Sequence, residues 1–124
     1  MVLKTDLQSV VVADGDITAI SVTIPAGTAV SSAIYVGGAT FLGLRMPAAW
    51  DAATIKFEES KDSTDADFRT LTDGDGNDIV IATPTANKTH KLDINTFYGL
   101  PYIKLVSSVN QTADRLIEII MAGV

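Results

Sequence analysis

The chain has 124 residues, no cysteine, one histidine and a formal net charge of −6. That length fits a single domain able to bury roughly two-thirds of its unfolded surface, and the lack of thiols excludes disulfide frameworks, thiolate metal sites and cysteine nucleophiles together. Eight of the 15 acids (Glu58, Glu59, Asp62, Asp65, Asp67, Asp73, Asp75, Asp78) fall between 58 and 78 against Lys61 and Arg69, an acidic rim that repels phosphate and anionic lipid, so neither nucleic acid nor a membrane surface is expected as a partner.

Residues 1–16 alternate weakly and end in Asp14-Gly15-Asp16, a turn signal. They read as an N-terminal arm or a first strand, with the domain proper over 17–124. The short Val10-Val11-Val12 run lacks the length of a signal-peptide core, and no apolar run reaches the ~20 residues of a membrane span. The chain is expected to be made and used without Sec export.

From Ile17 to Ile24 one side carries Thr18, Ile20, Val22 and Ile24, the period of two of a strand. Pro25-Ala26-Gly27 stops it. Val30, Ser32, Ile34 and Val36 are expected to share a face of the next strand, ended by Gly37-Gly38. Phe41 to Met46 is apolar on both sides apart from Arg45, as in a central strand, and Pro47 ends it because proline cannot donate to a ladder. Ala48-Ala49-Trp50-Asp51-Ala52-Ala53 makes a corner. Ile55, Phe57 and Glu59 then alternate with Thr54, Lys56 and Glu58, one buried face and one wet face.

Phe68 to Leu71 reads as a short strand. Asp73-Gly74-Asp75-Gly76-Asn77-Asp78 reads as a hairpin turn, with Ile79 to Ala82 as the returning strand. Lys91 to Ile94 is a further strand, and Asn95 to Pro101 a single helical turn. Tyr102, Lys104 and Val106 alternate with Ile103 and Leu105, and Arg115 to Met121 is the last strand. About eight or nine short strands with turn signals between them, and no sustained period of 3.6, give an all-β fold: an antiparallel β-sandwich, jelly-roll-like.

Catalytic constellations are weak. His90 has no nucleophile and acid beside it in sequence, and one imidazole without thiolates cannot fill a zinc tetrahedron. Asp73-Gly74-Asp75-Gly76-Asn77 spaces oxygens as a calcium loop begins, but an EF-hand needs a glutamate where Pro84 stands. The loop carboxylates lack the apolar wall that raises a catalytic pKa. The expectation is no enzyme, no cofactor and no metal. Trp50 with Tyr35, Tyr98 and Tyr102 could form an aromatic sugar platform, although a Trp in an alanine-rich corner more often plugs one end of a sandwich.

Gly43-Leu44-Arg45-Met46-Pro47-Ala48-Ala49-Trp50 followed by Ala53-Thr54-Ile55-Lys56-Phe57-Glu58 resembles the strand, Met-Pro-Ala-Ala-Trp corner and strand of a family of small tailed-bacteriophage virion proteins. The turn Leu71 to Asp78, the Phe97 to Pro101 approach and the closing strands Tyr102 to Val106 and Arg115 to Ile120 fit the same pattern, which spans roughly residues 17–122. More distantly, Tyr102-Ile103-Lys104-Leu105-Val106 resembles the late strand of galactose-binding-like jelly rolls.

The resemblance implies a virion structural protein: a capsid decoration or cement protein on the outer capsid surface, binding the major capsid protein and neighbouring copies of itself, with a trimer as one assembly that three-fold sites allow. The residues expected at contacts are Val10, Val11 and Val12 of the arm, with Arg45, Met46 and Trp50 near the corner. The alternative is a carbohydrate- or receptor-binding module of a head or tail fibre, using the Trp50, Tyr98 and Tyr102 end.

Overall fold

The computed structural model describes residues 4–6, 9–11, 17–37, 39–92 and 100–122. Among the described residues eleven strands build two sheets: β1 (Lys4–Asp6), β2 (Ser9–Val11), β3 (Ile17–Ile24), β4 (Ile34–Tyr35), β5 (Thr40–Arg45), β6 (Ile55–Ser60), β7 (Arg69–Thr70), β8 (Val80–Ile81), β9 (Thr89–Lys91), β10 (Tyr102–Ser107) and β11 (Arg115–Ala122). The helix among the described residues is one 3₁₀ turn, Asp65–Asp67. The larger sheet runs β1-β2-β4-β10-β6-β7, with β8 also on β6, and the smaller runs β3-β11-β5-β9. The pairings are antiparallel except at Ser9 and Tyr35, where β2 meets β4 in parallel. The fold is the all-β sandwich the alternation predicts, and β3 to β11 supply nine strands from residue 17 onward.

From β3 to β6 the chain changes sheet at each strand, and it does so again from β8 through β11. Each strand's inward side therefore packs against chain distant in sequence. Ile20, Val22 and Ile24 of β3 and Ile117, Ile119 and Met121 of β11 face Ile34, Ile55, Phe57, Ile103 and Leu105 across the core. Directly opposed residues share a face, so the register Ile20–Ile119–Leu44 is one inward row of the smaller sheet.

β5 carries the departure from simple alternation. Its register on β11 slips between Ile120, opposite Gly43, and Met121, opposite Phe41. The extra residue, Leu42, is a β-bulge, and it brings Phe41 and Leu44 to the same buried side although their numbers differ by three. What reads as a strand apolar on both faces is thus a bulged strand between β11 and β9. Gly43 lets β9 approach closely: a Cβ there would sit 3.1 Å from the His90 carbonyl oxygen, so β9 would have to give by a few tenths of an ångström.

Two other expectations are corrected. Val30 and Ser32 are exposed while Ser31 is buried, and only Ile34 and Tyr35 are strand. The Ser31 N–H donates to Leu105 O at 2.9 Å, and the Leu105 N–H donates to Ser31 Oγ at 2.9 Å, so a hydroxyl takes the place of a ladder carbonyl. Second, the expected hairpin turn forms, closed by the Thr72–Asp78 bridge and the Ile79 N–H to Leu71 O bond at 3.2 Å, but its pairing does not extend into β7 and β8. Both lie antiparallel on the same edge of β6, β7 at Glu58 and Glu59 and β8 at Ile55 and Lys56. Residues 72–78 are an excursion pinched off by the Thr72–Asp78 bridge, after which the chain resumes along β6. Within it Asp73 Oδ1 accepts the N–H groups of Asp75 and Asn77 at 2.8 and 3.0 Å, and Gly76 supplies the positive φ of 85°.

The strand expected over Lys91 to Ile94 is observed as Thr89–Lys91; Asp93, Ile94 and most of the expected helical turn, through Gly99, lie outside the described residues.

Candidate interaction surfaces

The outward face of the larger sheet follows from the same parity that fills the core. Tyr102, Lys104 and Val106 alternate with the buried Ile103, Leu105 and Ser107, and the register places Tyr35 beside Tyr102 and Glu58 beside Lys104. The Tyr35 and Tyr102 rings pack with centroids 5.0 Å apart. Lys104 Nζ lies 4.4 Å over the Phe68 ring, an attraction to the ring's negative face. Beside this cluster, along the segment that leads into β4, a groove of about 560 Å³ opens, lined by Pro25, Val30, Ser32, Ala33, Ser63 and Tyr102 among others.

Tyr102 and Trp50 do not share a site. Ser108 N–H donates to Thr54 O and Trp50 Nε1 reaches Ala53 O at 3.5 Å, so Trp50 belongs to the Ser107 end of β10. Tyr102 is at the other end, about 17 Å away at the usual rise per residue. Trp50 is half-buried against the core, in the plug position rather than the platform one. Tyr98 lies outside the described residues.

Of the other expected contact residues, Val10 and Val11 fall in β2, paired with β1, and Val12 lies outside the described residues. Arg45 is exposed at the end of β5, opposite Glu118, with Nε 3.6 Å from its carboxylate. An exposed pair of this kind contributes at most about 1 kcal/mol. Met46 is 5% exposed and packs in the core, so its side chain offers almost no surface to a partner. The period-two pattern explains this: Met46 follows Leu44 on the inward side.

The Trp50 end of the sandwich is closed by a polar knot. Gln111 is fully buried. Its Nε2 donates to Asp51 O at 3.2 Å and to Ser107 Oγ at 3.0 Å. Its Oε1 accepts from Asp51 N–H at 3.0 Å and Arg115 Nε at 3.2 Å. Its backbone joins the 25–28 turn, Gly27 N–H to Gln111 O at 2.7 Å and Gln111 N–H to Thr28 O at 2.9 Å. The Asp51 carboxylate accepts the Thr112 N–H at 2.6 Å and Arg115 at 2.9 Å.

These donors set the acid sensitivity. The Thr112 N–H, with the Thr112 hydroxyl and Arg115 guanidinium, holds the Asp51 carboxyl below the usual carboxylate range. The Thr64 N–H does the same to Asp62, and the Asn77 and Asp75 N–H groups to Asp73. A carboxyl with a lowered folded pKa contributes stability above its unfolded value, near ~3.9, and loses that contribution as pH falls through the folded value. The urea midpoint is therefore expected to be level from neutral pH to about 5 and to drop below about 4. Asp51→Asn should flatten that drop; an unchanged acid limb in the variant would remove Asp51 from the account.

Among the described residues no group of three or more His, Cys, Asp or Glu side chains is placed to hold a metal ion. His90 is half-buried, and its Nε2 accepts the Thr85 N–H at 3.0 Å, which pins the 83–87 loop against β9.

No family model and no curated protein sequence matches the chain. Among solved structures it is similar to the SPBc2 prophage-derived protein YomS, at 18% identity and a TM-score of 0.51, over 89% of this chain and 97% of that one. The two share a fold over almost their whole lengths.

Proposed function

We propose that this chain is a structural protein of a bacteriophage particle, acting by adhesion as a decoration or cement protein on the outer capsid. The observation that carries the reading is the near end-to-end fold correspondence with a prophage-derived protein, joined to the virion-like Met46-to-Trp50 corner. The physical character of the molecule supports it. A cement protein has to be stiff, and the Gln111 knot ties three loops at one end of the sandwich. It also repeats weak contacts by symmetry, so that small surfaces sum to avidity. The acidic stretch 58–78 belongs to the β6–β8 edge and keeps that side in solvent. Its partners are then the major capsid protein and copies of itself.

Co-sedimentation with expanded capsids of the phage carrying the coding sequence tests this. Saturable binding at a fixed number of copies per capsid is expected, and absence of binding overturns the cement role. A second reading, a glycan-binding module, is favoured by the Tyr35–Tyr102 pair beside the groove. Glycan-array binding that disappears in Tyr102→Ala with the fold intact would select it instead.

A further inference from the structure

The outer strands of the two sheets are not alike. At the ends of the larger sheet, β1 has three residues including Lys4 and Asp6, and β7 and β8 have two residues each, interrupted by the charged 72–78 excursion. At one end of the smaller sheet β9 has three residues and carries Lys91. Short length, charge and interruption are the devices that keep strand edges from pairing with other chains. β3, at the other end, has eight residues, ITAISVTI, with no charge, no proline and no register shift against β11. Among the described residues it is the long, neutral edge, and its outward side carries small residues, Ala19, Ser21 and Thr23, after an Ile17 that is 69% exposed.

We infer that β3 is a self-association edge: two copies pair antiparallel through β3 to make one continuous eight-stranded sheet across a dimer. Directly opposed residues share a face, so both cores stay on the same side only if paired residues have numbers of equal parity. That places the two-fold axis at Ile20 or Ser21, and the pairing is self-complementary in either case. That self-complementary register over an uncharged eight-residue edge points to a second copy as the occupant. β3 itself carries no charged side chain, and the acids that dominate the net charge lie between 58 and 78, on the β6–β8 side of the other sheet, so a second copy meets no like charge along this strand. Two copies joined at β3 thus meet through their neutral edges. Each copy uses one edge, so the assembly closes at two.

This deepens the adhesion reading by naming the surface between copies, and its test is separate because it uses the isolated protein. Sedimentation velocity and light scattering on the full chain are expected to show about twice the 13.1 kDa of one chain at high concentration. Ser21→Lys introduces an edge lysine at or beside the axis. Ser21 is exposed and opposite Glu118, so the lysine gains a cross-strand partner and the fold is kept. The variant is expected to be monomeric with an unchanged circular dichroism spectrum and at least tenfold weaker self-association, while Ser21→Thr retains the dimer. Concentration-dependent hydrogen-exchange protection should be confined to β3 amides. A wild-type monomer at millimolar concentration, a trimer, or a Ser21→Lys protein that dimerises as before would overturn the inference; capsid binding by such a protein would leave the adhesion role standing.

Discussion

Phe57→Ala is expected to destabilise the chain by about 3–5 kcal/mol, the usual range for truncating a buried phenylalanine whose cavity cannot fully collapse. Phe57 is fully buried and lies directly opposite Leu105. Its strand β6 is clamped on both sides, by β10 along six residues and by β7 and β8 in tandem. The Phe57 carbonyl also accepts the Leu71 N–H at 2.8 Å, at the junction where the chain leaves β7 for the 72–78 excursion. A strand held at so many points is poorly free to move inward, which puts the cost toward the upper end. Against a total stability of about 5–15 kcal/mol for a natural domain, this is a large fraction. At ~4 °C per kcal/mol for a chain of this size, the midpoint should fall by about 12–20 °C. Leu116→Ala is the control: Leu116 is 52% exposed on the outer face of β11 and should change stability by no more than about 0.5 kcal/mol. Urea unfolding followed by circular dichroism measures both, and equal shifts would show that the inter-sheet core does not dominate stability.

Much of that core is legible in the sequence because it obeys a period of two. Ile20, Val22 and Ile24, then Ile103 and Leu105, then Ile117, Ile119 and Met121 are alternate residues in strands, and alternation alone assigns them inward. The rule breaks where a partner strand intervenes. Phe41 and Leu44 are three apart yet both inward, because the bulge at Leu42 arises from the register against β11; the local hint is Gly43, an isolated strand glycine of the kind that marks a bulge. Ser31 looks like a polar residue between two strand positions. Its burial depends on its hydroxyl standing in for a carbonyl opposite Leu105, 74 residues away. The Asp73 turn is a strong local signal and folds as a tight turn. What the turn connects is decided by β6, which takes up both flanking segments on one edge.

The candidate surfaces divide in the same way. Aromatic residues can be counted from the sequence, but which of them meet depends on strand ends. Tyr35 joins Tyr102 because β4 pairs with the first residues of β10, and Trp50 is carried to the opposite end by the corner after β5. Met46 sits beside Arg45 in sequence and on the other side of the sheet in space. The β3 edge is visible in sequence as a neutral, uninterrupted strand. That it lies at the end of its sheet is a property of topology alone.

Gln111 carried no sequence signal, since it stands in a polar loop, Ser107 to Asp114, of the kind that is ordinarily solvated. Its removal is nevertheless expected to be the most damaging loss of a polar side chain. Gln111→Ala would leave the Asp51 N–H and C=O, Ser107 Oγ and Arg115 Nε each short of a partner. A buried polar group left unpaired costs about 1–3 kcal/mol, and water entering the vacated space would restore some of these bonds. The net expectation is about 2–4 kcal/mol, a fall of roughly 8–16 °C in the thermal midpoint. Gln111→Leu separates packing from hydrogen bonding, because it nearly conserves volume and removes all four polar contacts. If the bonds carry the stability, Leu is no better than Ala. If Leu restores the wild-type midpoint, the knot is merely filler and the rigidity of this end has another source. Residues in one network are not additive, so Asp51→Asn should cost less in the Gln111→Ala background than alone. Additive losses would mean that Asp51 and Gln111 close the end of the sandwich independently, Asp51 through Thr112 and Arg115, and Gln111 through the 25–28 turn.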